Sequence, residues 1–63
     1  MTPTEFKHWR DALELTQQGA ADALGATKRA VQMWEAGDRP ISRTVALACA
    51  AVQAGLAPFG EPE

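Results

Sequence analysis

The fold of this chain is decided by the stretch QQGAADALGATKRAVQMWEAG, residues 17–37. Within it, Ala21 lies four residues before Gly25, and Val31 lies six residues after Gly25. Two short helices that cross steeply need a small residue where they touch, a glycine in the turn and a branched apolar residue beneath the second helix. The stretch therefore predicts two helices joined by a tight turn at Gly25.

Helix-capping residues extend this prediction in both directions. Thr16 and Thr27 are suitable N-caps for the two helices, and TPTE at residues 2–5 and Ser42 mark the starts of two more. No strand-like alternation of apolar and polar residues appears. We predict an all-α domain of four to five short helices over residues 1–56, followed by an irregular tail at 57–63. The helices are expected at about 3–13, 17–24, 28–36 and 43–54.

Charges are unevenly distributed along the chain. The net charge of −2 at pH 7 taken alone argues against a nucleic-acid partner. Residues 27–43, however, carry four basic and two acidic side chains, whereas the rest of the chain carries two basic and six acidic ones. A local basic face on an acidic body is more informative about partners than the total charge.

The helix predicted at 28–36 has two different faces. Val31, Trp34 and Glu35 share a packing face with Thr27, and Trp9 is expected to join Trp34 in the core. The opposite face carries basic, amide and thioether groups, namely those of Lys28, Arg29, Gln32 and Met33. Guanidinium and amide groups hydrogen-bond to base edges in the major groove of DNA, and a helix N-terminus favours phosphate. This helix is therefore a candidate DNA-contacting element.

Taken as a set, these features resemble the helix-turn-helix unit of the Xre/Cro family of bacterial and phage repressors. The resemblance covers about residues 6–54. The matching residues are Arg10, Leu13, Leu15, Thr16-Gln17, Ala21, Leu24-Gly25, Thr27, Val31, Trp34-Glu35-x-Gly37, Arg39-Pro40 and the apolar helix after Ser42. The resemblance implies a lambda-repressor-like helix-turn-helix domain and sequence-specific binding to double-stranded DNA.

The resemblance also implies roles for individual residues. Residues 28–36 look like the recognition helix, with Lys28, Arg29, Gln32 and Met33 as base-reading residues. The DNA backbone would be contacted by Gln17, Thr27, Arg39 and Arg43. The alternative for Gln17 is a plain helix residue, and for Met33 a protein contact. For Arg39 and Arg43, plain surface charges are the alternative. Arg10 and Glu35 look like a structural ion pair between helix 1 and the recognition helix.

Three features depart from the family pattern. Gly19 stands where the family usually has a capping-box acid, and Ala20 where it usually has a large apolar residue. Helix 2 is therefore expected either to be soft or to have its neighbouring space filled by Trp9 and Trp34. The usual fifth helix, which often carries the dimer contact, is nearly absent.

The fourth helix is apolar on nearly every side, which indicates cover on more than one side. Two interpretations are open. Alanine is tolerated on a surface, so the outward residues need have no partner. Alternatively they form a self-association patch, made of Leu47, Ala51, Ala54, Leu56 and Phe59.

Other classes of function find little support in the sequence. No carboxylate pair, metal-ligand cluster or phosphate-binding loop appears, so we expect no enzyme activity, cofactor, metal or small-molecule ligand. His8 is expected on the surface and Cys49 as a buried small hydrophobe. The single cysteine fits a reducing cytoplasm, and the most apolar segment, residues 45–57, is too short to span a bilayer.

We therefore predict a sequence-specific transcriptional regulator. The expected form is a small (auto)repressor of the phage or mobile-element type that binds a pseudo-palindromic operator as a homodimer. The alternative is a protein-interaction module on the same fold, antitoxin-like or a DNA mimic, which the acidic total charge and the apolar fourth helix favour.

Overall fold

The computed structural model describes residues 1–61, which form four α-helices and no strand. Helix α1 spans Pro3–Ala12, α2 Gln17–Leu24, α3 Lys28–Ala36 and α4 Arg43–Gln53. The predicted all-α fold class is confirmed. Helices α1 and α4 each end one residue earlier than predicted, because Leu13 and Ala54 are their C-caps. Residues 62 and 63 of the predicted irregular tail lie outside the described residues.

Each helix starts at a side-chain hydroxyl that accepts a hydrogen bond from a backbone N–H of the first turn. In α1 the arrangement is reciprocal, because Thr2 Oγ1 accepts from Glu5 N at 3.1 Å and Glu5 Oε1 accepts from Thr2 N at 2.7 Å. These hydrogen bonds hold the pKa of Glu5 below its usual value. The other three caps are Thr16 to Gly19 N, Thr27 to Ala30 N and Ser42 to Val45 N, at 2.9, 3.1 and 3.2 Å.

The ends of α2 and α3 are set by glycines in the left-handed region. Gly25 has φ 67° and Gly37 has φ 79°, values that side chains with a Cβ rarely adopt. The corresponding residue after α1 is Glu14, with φ 56°, which the sequence pattern did not predict. The connection after α1 therefore uses a conformation that glycine would adopt at lower cost.

The core is an aromatic cluster surrounded by small residues. The Phe6 ring centroid lies 5.3 Å from that of Trp9 and 5.6 Å from that of Trp34. Ala20, which replaces the family's large apolar residue, is fully buried in the same cluster. The rest of the buried apolar set is Ala21, Ala30, Val31 and Cys49.

A long-range hydrogen bond connects the first helix to the last. Trp9 Nε1 donates to the carbonyl oxygen of Cys49 at 2.9 Å. Burial raises the pKa of the Cys49 thiol to about 11.

In the described part of the chain, no helix has both the length and the apolarity needed to cross a bilayer.

Candidate nucleic-acid interface

Helix α3 is fixed from its inner side by α1 and α2, both of which pack against it. Its buried residues are Ala30, Val31, Trp34 and Glu35. Because only Gly25, Ala26 and Thr27 separate the two helices, the turn leaves little freedom in how α3 crosses α2. The inner contacts therefore determine which residues of α3 face solvent.

The outer face of α3 carries the four predicted base-reading residues. Lys28, Arg29 and Gln32 are exposed, and Met33 is half-buried. Within residues 1–61, neither Lys28 nor Arg29 forms an ion pair. Two uncompensated positive charges and an amide are thus presented on one helix face, a combination suited to phosphates and base edges.

A shallow recess follows the same face towards the C-terminal end of α3. It is lined by Arg29, Gln32, Met33, Ala36 and Asp38. Asp38 was not among the predicted site residues. It enters the recess because the chain turns back at Gly37 and Asp38 N donates to the Met33 carbonyl at 2.9 Å.

The predicted ion-pair residues Arg10 and Glu35 lie in direct contact. Arg10 Nε donates to Glu35 Oε2 at 2.7 Å, and Nη2 donates to Oε1 at 3.1 Å. Arg10 Nη1 also donates to the Leu15 carbonyl at 3.0 Å. The side chains are 18% and 7% exposed. The hydrogen bonds to Glu35 raise the pKa of Arg10, so this guanidinium stays charged in the partly buried site.

Gln17 occupies a position that the sequence did not anticipate. Its side chain is half-buried, and Nε2 donates to Glu35 Oε1 at 3.4 Å. The amide is thus directed at the ion pair rather than wholly at solvent. The first backbone N–H groups of α2 have no acceptor within the helix and are therefore able to bind a phosphate.

The other residues predicted to contact the DNA backbone are all exposed. Thr27 is exposed, with its hydroxyl engaged as the cap of α3. Arg39 lies in the connection between α3 and α4, and Arg43 is the first residue of α4; both are exposed. Neither forms an ion pair with another of residues 1–61.

The predicted self-association residues are only partly brought together. Ala51, Leu56 and Phe59 line one apolar groove between the end of α2, α4 and the tail. Leu47 and Ala54 do not line it, although Leu47 is 60% exposed. The groove also includes Leu24, Ala48, Val52 and Pro58, which the sequence analysis did not assign to a surface. Leu24, Ala48 and Val52 meet because α2 packs against α4, and Pro58 joins them after the chain turns at Gly55, φ 74°.

Comparison with known proteins agrees with this geometry. The family model described as helix-turn-helix matches residues 6–52, which include all four helices apart from the first three residues of α1 and the last of α4. Searches of curated proteins and of solved structures found no significant match. Since the family match covers most of the chain, the protein belongs to the Xre/lambda-repressor-like helix-turn-helix family of DNA-binding regulators.

Proposed function

We propose that this chain is a sequence-specific transcriptional repressor of the phage or mobile-element type, which acts in the cytoplasm on its own gene. It binds a pseudo-palindromic operator as a homodimer. The observation that carries the proposal is the outer face of α3, where Lys28, Arg29 and Gln32 are exposed on a helix whose inner face is fixed in the core.

The side chains on that face match the chemistry of major-groove recognition. A guanidinium such as that of Arg29 can donate two hydrogen bonds to guanine O6 and N7, and an amide such as that of Gln32 can pair with adenine. Met33 offers an apolar contact for a thymine methyl group. Arg39, Arg43 and the first N–H groups of α2 and α4 supply phosphate contacts, which set the register of the protein on DNA.

Dimerisation gives the proposed repressor its operator symmetry. Two recognition helices in successive major grooves require half-sites about one helical turn apart, roughly 34 Å. We assign the dimer contact to the outer side of α4 and the segment after it, with Leu47, Ala51, Ala54, Leu56 and Phe59. Bound protein would block polymerase sterically, and a monomer–dimer equilibrium would make repression steep in protein concentration.

Fluorescence anisotropy tests the proposal. The protein is titrated into the duplex upstream of its own gene and into a scrambled duplex of the same composition, at low and at physiological salt. We expect salt-dependent binding with a preference for the upstream duplex of at least about a hundredfold. Equal weak binding to both duplexes would place the operator elsewhere and refute autorepression.

Two variants separate base reading from phosphate contact. Arg29→Ala should cost about 1–3 kcal/mol on the operator and relax specificity at one base pair. Arg43→Ala should weaken binding to all sequences alike and lower the salt slope by about one. Lys7→Ala removes one positive charge from an exposed position of α1 and serves as the control. Equal losses on operator and random duplexes would remove Arg29 from the base-reading set.

A protein-interaction module is the second candidate function. It is favoured by the apolar groove, at which Leu56 is 61% and Phe59 95% exposed. Exposed apolar surface of this kind is typical of protein contacts. The salt response distinguishes the candidates, because a module that binds only protein shows no saturable duplex binding even at low salt.

A further inference from the structure

The negative charge of Asp38 is unfavourably placed in two respects. Asp38 lies two residues after Ala36, the last residue of α3, where the helix dipole favours cations, and α3 has no basic residue in its last turn. It also lines the recess of the proposed DNA-facing surface with Arg29 and Gln32, where phosphates repel an anion. Among residues 1–61, no cation forms an ion pair with Asp38.

Its position is fixed by the backbone. Gly37 turns the chain at φ 79°, and the N–H of Asp38 donates to the Met33 carbonyl at 2.9 Å. The N–H of Arg39 donates to the same carbonyl at 3.3 Å. The carboxylate is therefore attached to a defined turn beside the recognition face. Positions that break local rules without a compensating internal partner are expected where function requires them.

From this geometry we infer that Asp38 is a specificity-determining residue of the DNA interface, and that its carboxylate accepts a hydrogen bond from an exocyclic amino group of the operator. The inference rests on the proposed DNA-binding function. Cytosine N4 and adenine N6 are the donors that the major groove presents. On any other DNA the same carboxylate meets phosphates without this compensation.

Repulsion between the Asp38 carboxylate and the phosphates would then discriminate the operator from random DNA. A unit charge about 7 Å from one phosphate in water changes an equilibrium constant by roughly threefold, and several phosphates lie near a docked helix. Repulsion therefore lowers affinity for random DNA, whereas the amino group offsets it on the operator. Specificity is a difference between two affinities, so weakening the wrong complex raises it.

The test uses an operator selected from random duplexes with the wild-type protein. Wild type, Asp38→Asn and Asp38→Ala are each titrated with that operator and with a random duplex. Glu14→Gln is the matched control, because Glu14 is an exposed carboxylate in the turn after α1 and lines neither the recess nor the apolar groove. Thermal unfolding verifies that each variant is folded.

We expect both Asp38 variants to bind random duplex about three- to tenfold more tightly than wild type. Asp38→Ala should bind the operator no more tightly than wild type, so its specificity ratio falls by at least the same factor. Each C·G and A·T pair of the operator is then replaced in turn. The replacement that removes the donor should weaken binding by wild type but not by Asp38→Ala, and so identifies the donor.

Three results would overturn the inference. Equal gains on both duplexes would make Asp38 a general repulsive charge. Gains no larger than those of Glu14→Gln would assign the effect to net charge, and a loss on both duplexes would make Asp38 a structural residue. Failure of the wild-type protein to select any operator refutes the proposed function itself, and this is seen before any variant is compared.

Discussion

The ion pair between Arg10 and Glu35 allows a sharp test of what holds α3 in place. Replacing Arg10 by methionine keeps most of the side-chain volume and removes the charge. It leaves the Glu35 carboxylate, 7% exposed, without the two guanidinium hydrogen bonds at 2.7 and 3.1 Å. An uncompensated buried charge of this kind costs about 3–5 kcal/mol. Because the Gln17 amide still donates to Glu35, we expect the lower end, about 3 kcal/mol.

That loss is large for a chain of this size. A stability of about 0.05–0.15 kcal/mol per residue gives 63 residues roughly 3–9 kcal/mol in total. Arg10→Met should therefore approach unfolding at 25 °C. With a urea m-value of about 1 kcal/mol per molar, the unfolding midpoint should fall by about 3 M. Trp9 and Trp34, 8% and 7% exposed, give the fluorescence signal.

The double variant tests whether the loss comes from the stranded charge. Glu35→Leu alone leaves a partly buried guanidinium and should cost about 2–3 kcal/mol. The pair Arg10→Met and Glu35→Leu together removes both charges, and we expect it to be more stable than either single variant. Lys7→Met, at an exposed position of the same helix, should change stability by less than about 0.5 kcal/mol. If the double variant loses the sum of the two single losses, the reasoning is refuted.

Three further predictions concern single positions. Glu14→Gly should raise the free energy of unfolding by about 1 kcal/mol, because glycine adopts φ 56° without the strain of a side chain; an unchanged urea midpoint would contradict this. Gly19→Glu should stabilise α2 by about 1 kcal/mol, since it gives Thr16 the reciprocal partner that Glu5 gives Thr2. An added Cβ lies 3.2 Å from Thr16 Oγ1, so the hydroxyl must shift slightly, and Gly19→Ala isolates that cost. The pKa of the Cys49 thiol is about 11 in the folded chain, against an ordinary 9.0. The unfolded chain therefore loses the thiol proton first, and the free energy of unfolding falls from about pH 9 upward. The difference in the free energy of unfolding between wild type and Cys49→Ala across that pH range measures the effect. If the two proteins lose stability with pH in parallel, the prediction is wrong.

The helices could be predicted from the sequence because their boundaries are local. Each starts at a threonine or serine whose hydroxyl caps the first turn. Gly25 and Gly37 end α2 and α3 in a conformation that glycine adopts most readily. Glu14 adopts the same conformation without such a signal, since glutamate is not enriched there. The end of α1 was therefore predicted one residue late.

The proposed interface could be predicted only as far as helix periodicity extends. Periodicity placed Lys28, Arg29 and Gln32 on one face of α3, because residues three and four apart share a face. It could not place the Gln17 amide beside Glu35, since that contact depends on how α2 crosses α3. Nor could it bring Asp38 into the recess, because a turn after the helix determines where that residue lies.

Glu35 connects the stability of the fold to the orientation of the proposed recognition face. Its carboxylate accepts from Arg10 on α1 and from Gln17 at the start of α2, so a single residue on the inner side of α3 contacts both neighbouring helices. The outer side of α3 has no internal partner for Lys28 or Arg29 among residues 1–61. The angle at which those side chains are presented must therefore come from the inner contacts. A variant of the ion pair that remains folded should consequently lose operator binding more than random-duplex binding, because base contacts depend on angle more strictly than phosphate contacts do.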